Sequence, residues 1–142
     1  MLIATLLGEK GGFVATIRPE QTVSELLVQL ARHNVGAIVV SEAVGSIDGI
    51  VSERDVARHL VQRGASLLDE PVASLMTRDV QTCSPDDNVE SLMLTMTRAR
   101  IRHVPVLDDD NLVGIVSIGD VVRSRLDELE GERKDLIDYI TH

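Results

Sequence analysis

Short apolar runs and amphipathic stretches follow one another in the same order twice along this chain. Phe13 to Ile17 is a brief apolar run of strand character that enters a turn at Pro19. Thr22 and Glu25 then stand at capping-box spacing, and Val23, Leu26, Leu27, Leu30 and Ala31 recur at helical intervals, which predicts a helix with one apolar face. Two strands joined by a polar turn are expected next, over Ala37 to Val40 and Ile47 to Val51. A closing helix follows, with Val56, Leu60 and Val61 facing inward and Gly64 as its stop.

The second half repeats this order. Val80 to Cys83 reads as the opening strand, Asn88 as the cap, and Val89, Leu92, Met93 and Met96 as the buried stripe of the helix. His103 to Leu107 and Leu112 to Val116 form the hairpin, and Val121, Val122 and Leu126 the inward face of the last helix of the unit. Ile17, Pro19, Val23, Glu25 and Leu26 lie 66 positions before Cys83, Pro85, Val89, Ser91 and Leu92. Beyond a one-residue gap, Gly49-Ile50-Val51-Ser52 and Asp55-Val56 recur as Gly114-Ile115-Val116-Ser117 and Asp120-Val121. The chain is therefore a tandem duplication of a β-α-β-β-α unit.

A unit of about fifty residues is too small to bury an adequate core alone, so two units packed sheet to sheet about a pseudo-twofold axis are expected, an α/β (α+β) fold. The division that follows is an N-terminal segment 1–12, a first unit 13–64, a linker helix 65–76, a second unit 77–126 and a C-terminal amphipathic helix 127–142. Asp69-Glu70-Pro71 has the form of a cap and first turn for the linker helix. Leu129, Leu136, Ile137 and Ile140 give the C-terminal helix an apolar stripe that must pack on the body or on a second subunit.

Composition narrows the function. Val, Ile and Leu supply 46 of the 142 residues, whereas Phe and Tyr occur once each and Trp not at all. The net charge of −9 argues against nucleic acid and against an anionic membrane surface, and single-strand binding lacks the aromatic platforms it needs. No apolar stretch approaches the length of a membrane span, and no basic segment precedes the apolar run Met1 to Leu7, so a cytoplasmic location is expected. The lone Cys83 and the four dispersed histidines show no metal-ligand spacing. Asp108-Asp109-Asp110-Asn111 lacks the spacing and closing Glu of a calcium loop and reads as a solvated hairpin turn. Twelve Arg against two Lys fit a local anion site on an acidic protein, and equally a general preference for Arg across the source's proteins.

Gly36-Ala37-Ile38-Val39-Val40 with Gly49-Ile50-Val51-Ser52-Glu53-Arg54-Asp55, and Arg102-His103-Val104-Pro105-Val106 with Gly114-Ile115-Val116-Ser117-Ile118-Gly119-Asp120, carry a resemblance. Together they resemble the cystathionine-β-synthase (CBS) domain, and the pair resembles a Bateman module. What the resemblance implies is a non-catalytic regulatory module binding adenosine-containing ligands (AMP, ADP, ATP, NAD or S-adenosylmethionine) between its units. It needs no catalytic cofactor, forms a homodimer and acts on an unidentified regulated partner.

By the same resemblance, Ser52 and Asp55 serve one cleft and Ser117 and Asp120 the other, the Ser beside helix-terminal amides suited to phosphate and the Asp facing a ribose diol. Gly36, Ala37 and Ile38, with Arg102, His103, Val104 and Pro105, form the strand that reads adenine. Phosphate grip is expected from Arg54, Arg102 and His103, with Arg78 reaching in from the linker and Thr16 and Thr82 lining the pocket. The copies differ at these positions, so the two sites should be unequal. Ser-x-x-Asp is also a plain capping box, and a ligand-independent dimerisation scaffold with vestigial sites stands as the alternative.

Overall fold

The computed structural model describes residues 1–11 and 14–141. Phe13, expected to open the first strand, and His142 lie outside the described residues. In chain order the elements are α1 (Ile3–Lys10), β1 (Thr16–Ile17), α2 (Val23–His33), β2 (Ala37–Val40), β3 (Gly49–Ser52) and α3 (Glu53–Arg63). Two 3-10 turns (Gly64–Asp69 and Val72–Ser74) lead to α4 (Val89–Ala99), β4 (His103–Asp108), β5 (Asn111–Ser117) and α5 (Ile118–Thr141).

Both units have the expected topology in the same register. β1 runs parallel to β2 with Ile17 opposite Val40, and β2 is antiparallel to β3. In the second unit the opening strand shrinks to one parallel bridge, Cys83 to Val106, while β4 and β5 pair antiparallel. The strand expected over Val80 to Cys83 is thus a single rung. Burial pushes the Cys83 thiol up to about 12, helped by the nearby Asp87 carboxylate, so it stays protonated at neutral pH.

Local chemistry starts and stops the helices as expected. Thr22 and Glu25 form the capping box of α2, and Asn88 accepts the amide of Ser91 at the start of α4. Gly64 ends α3 at φ 69°. Asp109 and Asp110, both at positive φ, make the two-residue turn between β4 and β5, the conformation that matches strand twist in a tight hairpin.

Four expectations change. The linker is two 3-10 turns rather than a helix, with Pro71 preceding the second and supplying no amide to extend it. The last helix of the second unit and the C-terminal helix are one, since nothing in Leu126 to Gly131 breaks the backbone pattern. Leu27, Leu60, Val61, Val122 and Leu126 are exposed, and so is Ala31, because each helix buries only a narrow stripe against a two- or three-stranded sheet. The segment 1–12 contains a packed helix, α1.

That helix completes a core. Ile17, Val23, Leu26, Ile38, Val40 and Val51 cluster with Leu67, Val72 and Leu75 of the linker. Val89, Leu92, Met96, Val104, Val106 and Val116 cluster with Ile3 and Leu6 of α1. Each small sheet is covered by its own helices on one side and by a short segment preceding the unit in sequence or following it. The Ile3 and Ala4 amides bond to the Asp87 and Pro85 carbonyls, much as the Val72 and Ala73 amides bond to Gln21 and Pro19. Gly114 and Gly49 make room for these segments: a Cβ there would stand 2.6 Å from Leu7 and 2.8 Å from Met76. β2 is buried on both faces, and so is the centre of β4, as two units packed sheet to sheet require.

Because Leu6 fills the second core as Leu75 fills the first, Leu6→Ala is expected to destabilise the fold by about 2–5 kcal/mol. Urea denaturation monitored by circular dichroism checks this. A loss below about 0.5 kcal/mol would show that α1 is not part of the core.

Candidate functional site

The Ser-x-x-Asp motif of each unit straddles the strand-to-helix junction. The Glu53 amide bonds to the Gly36 carbonyl (3.0 Å) and the Ile118 amide to the Arg102 carbonyl (2.8 Å), which ties each helix start to the residue just before the neighbouring hairpin. Ser52 and Asp55 form a reciprocal capping box: the Asp55 amide donates to Ser52 Oγ (3.2 Å), while the Ser52 amide donates to Asp55 Oδ2 (2.8 Å). The Ser52 hydroxyl also donates to Oδ2 (3.0 Å). Among the described residues no hydrogen bond reaches Asp55 Oδ1, so an acceptor oxygen remains beside the helix N-terminus.

This junction opens on a cleft of about 380 Å³ between the units, within the range typical of small-molecule sites. One wall is Gly36, Ala37, Ser52, Glu53, Arg54, Asp55 and Arg58 of the first unit. The other comes from Thr77, Asp79, Val80 and Gln81, just past the linker, and from Ala99 to His103 of the second unit. The cleft gathers Arg54, Arg58, Arg100 and Arg102 against Glu53, Asp55 and Asp79. On a chain of net charge −9 this is a local excess of cations, suited to an anionic group.

Of the residues expected at a site, the structure brings Gly36, Ala37, Ser52, Arg54, Asp55, Arg102 and His103 to this cleft. Thr16, Ile38, Arg78, Thr82, Val104, Pro105, Ser117 and Asp120 do not line it. Ile38 and Val104 face the cores, Pro105 is buried, and Thr16, Arg78 and Thr82 are exposed elsewhere. Arg78 misses the cleft at a bend in the chain, where its neighbours Thr77 and Asp79 line it instead. Arg58 and Arg100 went unforeseen. Arg58 lies one turn after Arg54 on α3, a helical spacing visible in the sequence. Arg100 takes the place of Asn34, 66 positions earlier, and both end their helices at positive φ (55° and 52°).

At the other junction, the Ser117 amide donates to Asp120 Oδ2 (2.9 Å) and the Asp120 amide to Ser117 Oγ (3.1 Å), and neither residue lines the arginine-bearing cleft. Burial would raise the Asp120 carboxyl, but the bond from Lys10 and those from Ser117 outweigh it and hold the group below the usual range. His103 sits between the two junctions, its ring against Gly36. Burial, followed by the charge of Lys10, pushes its imidazole below the ordinary value of 6.5 against the pull of Asp120 and Glu53, so it is neutral at pH 7.

The CBS domain family model matches residues 13–62 and 72–127, and the chain belongs to that family as a tandem pair. It is 38% identical over 125 residues to the mitochondrial CBS domain-containing protein CBSX3 of Arabidopsis thaliana, covering 85% of this chain and 61% of that protein. The chain thus spans about three fifths of that relative's length. The CBS-domain protein ATU1752 of Agrobacterium tumefaciens superposes at a TM-score of 0.85 with 39% identity, over 88% of this chain and 99% of its own. The CBS domain pair of MJ0100, solved with 5′-methylthioadenosine and S-adenosyl-L-methionine, has a TM-score of 0.80 and 26% identity over 90% and 98% of the two chains. PAE2072 of Pyrobaculum aerophilum, complexed with AMP, has a TM-score of 0.74 and 29% identity over 84% and 89%.

Two predictions follow from this geometry. Arg100→Asn removes a side chain ill-suited to positive φ and should stabilise the fold by about 1 kcal/mol, read as a higher urea midpoint. Because the folded protein refuses a proton at His103 that the unfolded chain accepts, His103 costs stability as pH falls below about 6.5. His103→Gln should therefore flatten the fall in urea midpoint between about pH 7 and about pH 5.5. An unchanged pH profile would place His103 in an ordinary solvated setting.

Proposed function

We propose that this chain is a regulatory module, without catalysis of its own, that binds an adenosine-containing nucleotide in the cleft between its two units. The observation that carries the reading is the meeting of two groups across that cleft. Asp55, with a free carboxylate oxygen at a helix start, faces Arg100 and Arg102 of the other unit. A ribose diol donates to Asp55, the phosphate lies against the arginines and the α3 amides, and the backbone from Gly36 to Ala37 meets the base. A ligand that touches both units changes how they pack, and a partner protein reads the change. AMP in PAE2072 and adenosine derivatives in MJ0100 support this ligand class.

The apolar residues left exposed on α3 and α5, among them Leu60, Val61, Val122 and Leu126, favour a homodimer as the working form. No helix among the described residues is long and apolar enough to cross a membrane. Neither does any group of three or more His, Cys, Asp or Glu among them form a metal centre.

Thermal shift and titration calorimetry with AMP, ADP, ATP, NAD and S-adenosylmethionine test the proposal. A bound ligand at a hundred times its Kd should add about 2.7 kcal/mol to stability, and Asp55→Ala should weaken binding at least about tenfold. Arg100→Asn should weaken phosphate-bearing ligands while leaving adenosine itself little changed. A chain that binds none of the five would be a dimerisation scaffold.

A further inference from the structure

The two Ser-x-x-Asp junctions are chemically alike, yet the second has a neighbour, Lys10, that precedes the residues matched by the family model. In the first unit, Thr77 closes the edge of β3 by backbone pairing: its amide donates to the Ile50 carbonyl and its carbonyl accepts the Ile50 amide, both at 2.9 Å. Ile115 is the counterpart of Ile50 in the second unit. There the preceding segment is still helical, so it has no free backbone to offer. Instead the Lys10 ammonium, at the last turn of α1, donates to the Ile115 carbonyl at 2.6 Å and to Asp120 Oδ2 at 2.7 Å.

Lys10 thus occupies the place that a ligand's donor hydroxyls need. Asp120 Oδ2 already accepts the Ser117 amide, and the Asp120 side chain is only 11% exposed beneath Lys10, itself 32% exposed. The remaining oxygen, Oδ1, has the Arg123 guanidinium 4.0 Å away. At the first junction no lysine intervenes, and Asp55 lines the open cleft. The helix that carries the lysine is anchored by the burial of Ile3 and Leu6, and its ammonium is held by the Ile115 carbonyl and Asp120. The sequence that anchors it is itself a repeat: Ile3-Ala4-Thr5-Leu6-Leu7 parallels Val72-Ala73-Ser74-Leu75-Met76 in the linker.

We propose that Lys10 is an internal latch on the second nucleotide site, holding Asp120 and the β5 edge so that the chain presents one open cleft and one closed one. The inference rests on the reading of Asp55 and Asp120 as equivalent ribose-binding positions. A ligand enters the second site only by displacing the Lys10 side chain, which makes that contact responsive to nucleotide. The consequence is a module with two unequal sites whose second occupancy is linked to release of the Lys10–Asp120 contact.

Titration calorimetry of the full chain with AMP, ATP and S-adenosylmethionine, each alone, tests the latch. The wild type should bind one equivalent per chain. Lys10→Met and Lys10→Gln, which keep the stem and remove the charge, should bind two, and the added equivalent should vanish when Asp120→Ala is combined with Lys10→Met. If the wild type binds no probe while Lys10→Met binds one equivalent that requires Asp120, the reading of the open cleft fails and the latch stands. Two equivalents on the wild type, or no gain on either Lys10 variant with any of the three probes, overturns the latch.

Discussion

Neither unit can cover its own sheet. With two or three short strands and two helices, each leaves one end of its core open to water, and it is closed by a segment from outside the repeat. Leu67, Val72 and Leu75 do this for the first unit, Ile3 and Leu6 for the second. Burying each such side chain contributes about 1.5–3 kcal/mol, a large share of the stability of a small domain. The matching glycines, Gly49 and Gly114, are the sites where these plugging segments pass closest to a strand. The remaining features of the molecule are arranged around this need for closure.

Closure also decides what the clefts look like. After plugging the first core, the linker pairs with β3 at Thr77, bends, and presents Asp79 and Gln81 to the space between units. The equivalent segment of the second unit remains helical as far as Lys10 and ends in a cation. Two junctions with the same Ser-x-x-Asp chemistry therefore meet different neighbours. The first faces open space and arginines from the other unit, and the second faces an ammonium group at hydrogen-bond distance. Arg100, held at positive φ where the first unit has Asn34, is a further sign of divergence: a favourable helix end has given way to a charge aimed at the cleft.

Much of this could be read along the chain. The duplication, the order of elements, the capping residues Thr22 and Asn88 and the stop at Gly64 all follow from periodicity and local side-chain-to-backbone chemistry. The Ser52–Asp55 and Ser117–Asp120 pairs were legible for the same reason, since their bonds join residues three apart. Helix faces were read less well. Leu60, Val61 and Val122 fit an inward stripe by spacing, yet stay exposed because the sheet beneath is too narrow to cover them. The polar second half of α5 differs in composition from the first and so suggests a separate helix, but backbone hydrogen bonding does not stop where composition changes.

What the sequence determined by itself is therefore local: which segments are strands or helices, where helices begin, and that two copies of one unit are present. Only the tertiary structure decided which residues share a cleft. Arg54 and Arg58 meet Arg100 and Arg102 because sheet-to-sheet packing brings the start of one unit's helix to the hairpin of the other. Lys10 meets Asp120 across 110 positions because a buried leucine and isoleucine dock its helix on a distant core. Hydrophobic burial is non-directional along the chain, so no spacing rule reports which segment will satisfy it.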